Sequence, residues 1–235
     1  MPHPGPAHPI VKSLNRARDR CVQRRERDRL RNVRFSIISN DCWGGTVYQR
    51  LRLRYTSPFV GLMMMAPDYL RLLGDLGGHL GAELTFVQRT RHADLDRRRT
   101  TGELPPYPIG VLHGDVEVHF LHYPSPEAAR RDWGRRADRV DLDRLWVKFD
   151  GSKDYATAAS RQAFDDLPYE HKVMFTSPAT ADVASAIAVP HWSEDGRGLV
   201  RCATPYFDVA DWLNGGSGRP RGAASRIRRV LLDGA

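Results

Sequence analysis

The 235-residue chain has few cysteines, few lysines and no long apolar run. Its three cysteines, Cys21, Cys42 and Cys202, are too sparse and odd in number for a disulfide scaffold, and they predict a protein of the reducing cytoplasm. No stretch approaches the ~18 consecutive apolar residues of a transmembrane helix, which excludes a membrane span. Residues 1–9 contain no apolar stretch behind a charged start, so no secretory signal is predicted.

Nucleotide-binding motifs are also missing. The sequence contains neither G-x-G-x-x-G nor a P-loop, and it therefore leaves any cofactor unknown. Asp141-Leu142-Asp143 is a D-x-D triplet of the kind that would favour a nucleotide-sugar glycosyltransferase, but it follows a predicted helix and such triplets are common by chance.

The net charge of +8 is concentrated at the two ends of the chain. Residues 12–34 carry +7, residues 219–235 carry +4, and the segment between them carries −3. The first basic segment predicts a solvated helical extension, with a basic arm for an anionic membrane surface or polyphosphate as the alternative. The partner considered for the two basic ends is an anionic membrane surface. The acidic body offers no basic groove, so sequence-specific binding of nucleic acid is not expected. We therefore predict a cytoplasmic protein, with a peripheral position at the inner face of the membrane as the alternative.

Strand and helix patterns alternate through the body, which predicts an α/β layered domain with a mostly parallel or mixed central sheet flanked by helices. The predicted organisation is a basic, partly disordered or helical extension over 1–32, a single α/β domain over 33–216 and a basic C-terminal helix over 217–235. Strands are predicted over 33–38, 59–65, 84–88, 107–112, 116–121, 145–149 and 172–176. Helices are predicted over 44–51, 67–76, 125–138, 157–166, 207–213 and 223–232, and a charged loop over 91–101.

The segment Ser39-Asn40-Asp41-Cys42-Trp43-Gly44-Gly45 links a predicted strand to a predicted helix. Ligands of open α/β sheets gather at the carboxyl ends of strands. A cysteine at a helix start lies at the positive end of the helix dipole, which predicts Cys42 as a nucleophile. Ser39 and Asn40 are predicted to donate or accept hydrogen bonds from a substrate. The alternative is a packed thiol, with Trp43 in the core.

The stretch from Asp115 to Tyr123 places Asp115, Glu117 and His119 on one strand face. Residues four apart on a strand stand about 13 Å apart, so these three cannot bind one metal ion, and no metal site is predicted. Glu117 beside His119 favours an imidazole oriented by a carboxylate. His119 or His122 is therefore predicted as the catalytic base, with Glu117 or Asp115 as its partner. A half-exposed polar strand face is the alternative.

Two further segments carry positive charge. Five arginines lie between residues 130 and 139, and Arg135 and Arg136 beside Gly134 are predicted to bind a phosphate or carboxylate group. Lys148 and Asp150 share one face at the end of a predicted strand and are predicted to contact substrate. The alternatives are a solvated helix face and a surface ion pair.

Seven strings occur in order along the chain: FSIISNDCWGG, YTSPFVGL, DYLRLL, YPIG, VEVHFLHY, WGRRADRV and VKFD. Together, from about Val33 to about Leu213, they resemble a bacterial family, the domain of unknown function 1919 family, whose members are often labelled exopolysaccharide-biosynthesis proteins. The resemblance implies an α/β fold and a place in glycan assembly. It marks the basic N-terminal extension as peculiar to this chain, and Asp41 as a departure that opposes thiolate formation at Cys42. The family pattern maps onto Ser39, Asn40, Cys42, Trp43, Gly44, Tyr55, Ser57, Pro58, Asp115, His119, His122, Tyr123, Arg135, Arg136, Lys148 and Asp150.

The sequence therefore predicts an enzyme of surface polysaccharide or glycoconjugate assembly, a transferase that favours acyl transfer to an anionic or phosphorylated sugar. Cys42 is the expected nucleophile, or Ser39 if the thiol is structural. Three alternatives stay open: a Cys–His hydrolase, a nucleotide-sugar glycosyltransferase, and a non-enzymatic glycan-binding protein that docks on a membrane. The residues predicted to bind substrate are Ser39, Asn40, Trp43, Tyr55, Ser57, Tyr123, Arg135, Arg136, Lys148 and Asp150.

Overall fold

A computed structural model describes residues 20–192 and 196–219 of the chain. Its strands are β1 (Ser36–Ser39), β2 (Leu84–Val87), β3 (Ile109–Leu112), β4 (Val116–His119), β5 (Leu145–Asp150), β6 (His171–Thr176) and β7 (Ala186–Ala188). Residues 20–29 form helix α1. The other helices are α2 (Trp43–Leu51), α3 (Ala66–Gly74), α4 (Leu76–Gly81), α5 (Ala93–Thr100), α6 (Pro126–Ala137), α7 (Ala158–Asp166), α8 (Gly196–Ala203) and α9 (Val209–Leu213), with a 3₁₀ turn at Pro178–Thr180.

Four strands form a parallel sheet in the order β1-β5-β6-β7. Its register places Ile38 beside Val147 and Lys148 beside Val173. The other three strands form a separate antiparallel sheet in the order β2-β3-β4. The α/β architecture is therefore as predicted, and the strands predicted over 107–112 and 116–121 form a hairpin in this second sheet.

The parallel sheet is buried on both faces because its strands alternate between two hydrophobic clusters. Ile38, Val147 and Phe149 point to a cluster that includes α3, α6, α7 and the antiparallel sheet. Ile37 and Phe175 point to the opposite cluster, which is built with α2, α8 and α9. The result is a three-layered α/β body whose strand ends meet at one edge.

Three local predictions were wrong. Residues 59–65 form no strand: Gly61 has φ +72, and only Met63 makes a bridge, to His119. The segment is apolar because it lies between the two sheets. Residues 93–100 form α5 instead of a charged loop, since acidic residues occupy its first turn and arginines its last, as the helix dipole favours. The helix predicted over 67–76 is broken at Asp75, whose carboxylate caps α4 by accepting from the N–H of Gly78.

The basic N-terminal segment contacts the body where it is described. Arg50 pairs with Glu26 at 3.0 Å, and Arg29 pairs with Asp208 at 2.6 Å. The segment thus binds the body through ion pairs of both polarities, one with its own arginine and one with its own glutamate. The predicted helix over 223–232 lies outside the described residues. Within the described ranges, no helix is both long and apolar enough to cross a bilayer.

Candidate active site at the carboxyl edge of the parallel sheet

The ends of β1 and β5 are tied together by an asparagine. The side-chain oxygen of Asn40 accepts a hydrogen bond from the backbone N–H of Asp150 at 2.9 Å, and its main-chain oxygen accepts from Met64 at 2.8 Å. Parallel strands end at the same edge of a sheet, which is where α/β proteins bind ligands. Because β1 and β5 are neighbouring parallel strands, the loops that follow them lie side by side.

A cluster of two lysines and three aspartates occupies this edge. The Nζ of Lys148 lies 2.8 Å from Oδ2 of Asp41, and the Nζ of Lys153 lies 3.3 Å from the same oxygen. Lys153 also lies 3.7 Å from a carboxylate oxygen of Asp150 and 3.9 Å from one of Asp154. All five side chains are buried or nearly so, so their interactions are screened little by solvent.

This environment shifts the pKa values of the three aspartates in different directions. Burial disfavours charge on Asp41, yet Lys148 and Lys153 outweigh it and hold the pKa of Asp41 well below its ordinary value. Burial raises the pKa of Asp154 to about 6, with Asp150 and Asp41 adding to the shift and Lys153 opposing it. The pKa of Asp150 is also raised, chiefly by burial. Lys153, despite burial, has its pKa raised by the three carboxylates and stays a cation. Titratable groups with divergent pKa values in one place are typical of acid–base sites.

Backbone strain accompanies the cluster. Asp154 has φ +54 and Tyr155 has φ +65, the left-handed region that non-glycine residues rarely adopt. The carbonyl of Asp154 accepts a hydrogen bond from the N–H of Ala66 at 2.8 Å, at the start of α3. This contact helps to hold the turn and thereby fixes the direction of the carboxylate.

The cluster opens into a cavity of about 840 Å³, here called the main cavity. Its walls combine charged groups, two tyrosines and methionine side chains. The lining comprises Asp41, Cys42, Leu62, Met63, Met65, Asp94, Leu95, Arg98, Leu104, Pro105, Tyr107, Leu121, His122, Ser152, Lys153, Asp154 and Tyr155. A second cavity of about 330 Å³, the side cavity, shares Cys42 and His122 with it and adds Tyr55, Tyr123 and Arg136.

Cys42 and His122 lie where the two cavities meet. Cys42 is the N-cap residue of α2, half-buried, and its thiol donates to the carbonyl of Leu62 at 3.7 Å. The two side chains border the same spaces. The position of Cys42 at the N-terminus of a helix is therefore confirmed. Its role as a nucleophile stays a prediction.

The side cavity gathers three of the predicted substrate-binding residues. Arg136 donates to the hydroxyl of Tyr123 at 2.6 Å and pairs with Asp132 at 3.1 Å, and its guanidinium lies 5.0 Å from the ring centroid of Tyr55. The hydroxyl of Tyr123 donates onward to the carbonyl of Val60. Arg136 is thus held rigidly and already paired with a carboxylate, which an anionic ligand would have to displace.

Six other residues predicted to bind substrate lie buried next to the site and do not line its cavities. Ser39, Asn40, Ser57, Lys148 and Asp150 are fully buried. The hydroxyl of Ser39 donates to the carbonyl of Asp41 and accepts from the N–H of Gly44, so it shapes the turn. Trp43 packs against Phe175 and Trp212 in the core. None of these six residues is among the described residues that line either cavity.

The predicted histidine–carboxylate pair lies deeper still. His119 is fully buried, and its Nε2 lies 3.6 Å from Oε2 of Glu117. Burial is the main reason that the pKa of His119 is lowered to about 3, which makes the ring a weak base. Asp115 lies elsewhere, half-exposed and 3.5 Å from Arg71. Arg135 is exposed and pairs with Asp132 at 3.0 Å.

Sequence reasoning missed Lys153, Asp154 and Tyr155. They follow β5 directly in the string FDGSKDY, and a charged run just past a buried strand is a signal that could have been followed. It missed His92 as well, because the charge pattern over 91–101 predicts a loop.

A parallel sheet covered on both faces, with a charged cavity at its carboxyl edge, defines a three-layered α/β protein. The chain belongs to the DUF1919 family, described as a domain of unknown function, which matches residues 13–211. An uncharacterized protein of Haemophilus influenzae is 32% identical over 171 residues, covering 73% of this chain and 75% of that protein. The match begins at residue 13, so the basic segment described from residue 20 lies within the family region and was wrongly expected to be peculiar to this chain.

Proposed function

We propose that the protein is a group-transfer enzyme of surface-glycan assembly, in which Asp154 removes the proton from an acceptor hydroxyl. The observation that carries the proposal is the largely buried carboxyl of Asp154 at the wall of a cavity of about 840 Å³, where burial raises its pKa to about 6. A carboxyl of that pKa is mainly ionised near neutral pH yet holds a proton better than an ordinary aspartate does. Those are the properties of a general base.

Lys153 and Asp41 support this chemistry. Lys153 lies 3.9 Å from Asp154 and 3.3 Å from Asp41, and all three side chains line the main cavity. The ammonium of Lys153 can stabilise negative charge that develops on a reacting oxygen. Asp41 stays ionised and holds both lysines in place. Activity is expected to fall as the pH drops below about 6, because Asp154 is then protonated.

The cavity walls support a sugar as the acceptor. Tyr155 is 46% exposed at the cavity and stacks on His92 with 5.3 Å between ring centroids. An exposed aromatic ring offers an apolar face to a sugar ring, while Arg98 and Lys153 offer donors to its hydroxyl or anionic groups. The place in exopolysaccharide assembly rests on the resemblance of the sequence, and the chemistry rests on the cavity.

Deletion of the gene tests the proposal. The surface polysaccharide of the deleted strain is expected to lack one substituent or residue, and the wild-type gene is expected to restore it. A Tyr155→Ala gene should restore it only in part, since the stacking surface is lost. Leu142→Ala, at a residue 52% exposed outside both cavities, should restore it fully. An unchanged polysaccharide in the deleted strain would contradict the proposal.

Acyl transfer through Cys42 is a second candidate. It is favoured by one observation, the position of Cys42 and His122 on both cavities. If the thiol carries an acyl group, incubation with an acyl thioester should add one acyl mass to the wild-type chain and none to Cys42→Ser. Cys202→Ser is the matched control, because that half-buried thiol is not part of either cavity lining among the described residues. If intact wild-type protein forms no adduct, acyl transfer through Cys42 is excluded, and direct transfer with Asp154 as the base is the remaining mechanism.

A further inference from the structure

His92, Glu117 and His119 converge beneath the Tyr155 side of the main cavity. His92 is the N-cap residue of α5, and the other two lie on β4. The Nε2 of His119 lies 3.6 Å from Oε2 of Glu117, and the Nε2 of His92 lies 4.0 Å from the same oxygen. One donor atom from each of the three residues lies within 4.8 Å of the other two. Three metal-ligand types therefore surround one small volume.

The imidazole of His119 packs against the rings of Tyr107 and His92, but its two nitrogens have no hydrogen-bond partner in the described part of the chain. Its relative exposure is 0%. Buried polar atoms are nearly always satisfied, because an unsatisfied one loses its hydration without compensation. Nε2 faces the Glu117 carboxylate across a gap that is too long for a hydrogen bond. An ion between the two groups would satisfy both.

The surrounding contacts hold the carboxylate in position. Oε2 of Glu117 accepts from the hydroxyl of Thr90, and Oε1 accepts from the backbone N–H of Arg91 at 2.8 Å. Such outer hydrogen bonds orient metal ligands in known sites. The guanidinium of Arg91 is a nearby positive charge that works against a cation, but it pairs with the buried carboxylate of Asp68.

His92 already has a partner that a metal would replace. Its Nε2 lies 2.6 Å from Oδ2 of Asp68. On metal binding, Nε2 would present its lone pair to the ion and carry its proton on Nδ1 instead. Asp68 would retain its hydrogen bond from the N–H of Glu117 at 3.0 Å and its contact with Arg91.

We propose that His92, Glu117 and His119 bind one divalent transition-metal ion, with zinc the best match to two imidazoles and a carboxylate. In a tetrahedral zinc site with bonds of about 2.0–2.2 Å, ligand atoms stand about 3.3–3.6 Å apart. The observed 3.6 and 4.0 Å to Oε2 of Glu117 therefore require shifts of a few tenths of an ångström. The donor atoms of the two imidazoles lie within 4.8 Å of each other, so these rings must approach by up to about 1.5 Å when the ion binds. Three protein ligands leave a fourth position for water, as in catalytic zinc sites. The three side chains come from two elements, which a search along a single strand could not reveal.

The test measures metal binding rather than activity, so it is independent of the proposed function. Tag-free full chain is stripped with a chelator and titrated with zinc against a competing chelator. One ion per chain with a submicromolar Kd is expected, and cobalt substitution should give the intense visible absorption of a tetrahedral site. His119→Ala and His92→Gln should each weaken zinc binding by at least about 100-fold, since loss of an outer contact alone costs about 10–100-fold.

Two variants keep the test decisive. In His92→Gln the side-chain amide can still donate a hydrogen bond to Asp68 in place of the imidazole. The variant is therefore expected to fold even though the metal ligand is lost. His79→Gln is the control, a buried histidine that bonds to the carbonyl of Asp75 and lies outside the cluster; it should bind zinc like the wild type. The proposal is overturned if folded wild-type protein binds no zinc in this range, or if His92→Gln and His119→Ala bind it as tightly as His79→Gln does.

Discussion

Asp154→Asn is expected to reduce the glycan-modifying activity by about 10²–10⁴-fold while the protein remains folded, because that is the usual contribution of a general base. The asparagine has nearly the same shape as the aspartate but cannot accept a proton. The measurement is the restored fraction of the missing glycan group in a deleted strain that carries the variant gene. Asp143→Asn, at an exposed residue of the D-x-D triplet, should restore it fully.

The same substitution is expected to stabilise the fold. The pKa of Asp154 is raised from 3.8 to about 6 by burial, so the folded protein favours the protonated carboxyl. The stability that this group contributes is present below pH 4 and is lost as the pH rises through about 6. At pH 8 the ionised carboxylate costs up to about 3 kcal/mol, since each pKa unit corresponds to about 1.4 kcal/mol. Asp154→Asn should recover part of that cost in urea unfolding. A variant that is both less stable and inactive would point to a structural role instead.

Lys148→Met is expected to lower the free energy of unfolding by about 3 kcal/mol, the lower end of the range for breaking a buried ion pair. Lys148 is fully buried and lies 2.8 Å from Asp41, which would keep only Lys153 as a counter-charge. Methionine fills similar volume, so the loss measures charge rather than packing. Lys172→Met is the control, because that ammonium contacts main-chain carbonyls of residues 165 and 167; its cost should be near 1 kcal/mol.

The double variant Asp41→Asn/Lys148→Met shows whether the stability lost in Lys148→Met comes from the unpaired charge on Asp41. Removal of both charges should recover most of the stability lost in Lys148→Met, since no unpaired charge is left between them. Because the pKa of Asp41 is depressed in the fold, the pair stabilises the wild type above the ordinary aspartate value of 3.8, and this stability is lost as the pH falls through the depressed pKa. Strictly additive effects of the two substitutions would show that Lys148 and Asp41 do not interact.

The fold could be predicted where the local signals agreed. Ser125 followed by Pro126 marked the start of α6, and the Ser125 side chain does accept the hydrogen bond from the N–H of Ala128. The strand prediction over 59–65 was wrong because a continuous apolar run indicates only that a segment is buried on both sides. Buried strands and buried connecting segments both have this property. β7, of three residues, is too short for a pattern in sequence to reveal.

The site could be located from sequence more readily than its chemistry. Asn40 and Cys42 follow β1, Asp150 is the last residue of β5, and the strand order places those two ends side by side. What sequence could not supply is burial and its balance with nearby charges. Burial outweighs Lys153 and raises the pKa of Asp154. At Asp41, by contrast, Lys148 and Lys153 together outweigh burial and lower the pKa. His92 and His119 meet only through tertiary packing, with ring centroids 6.2 Å apart.

The pKa of Asp154 in the folded protein tests the proposed chemistry most directly. Carbon-13 NMR of labelled aspartate carboxyls, compared between wild type and Asp154→Asn, assigns the resonance and follows it with pH. A titration midpoint near 6 is expected from the buried position among Asp150, Asp41 and Lys153. A midpoint at or below the ordinary value of 3.8 would contradict Asp154 as the general base.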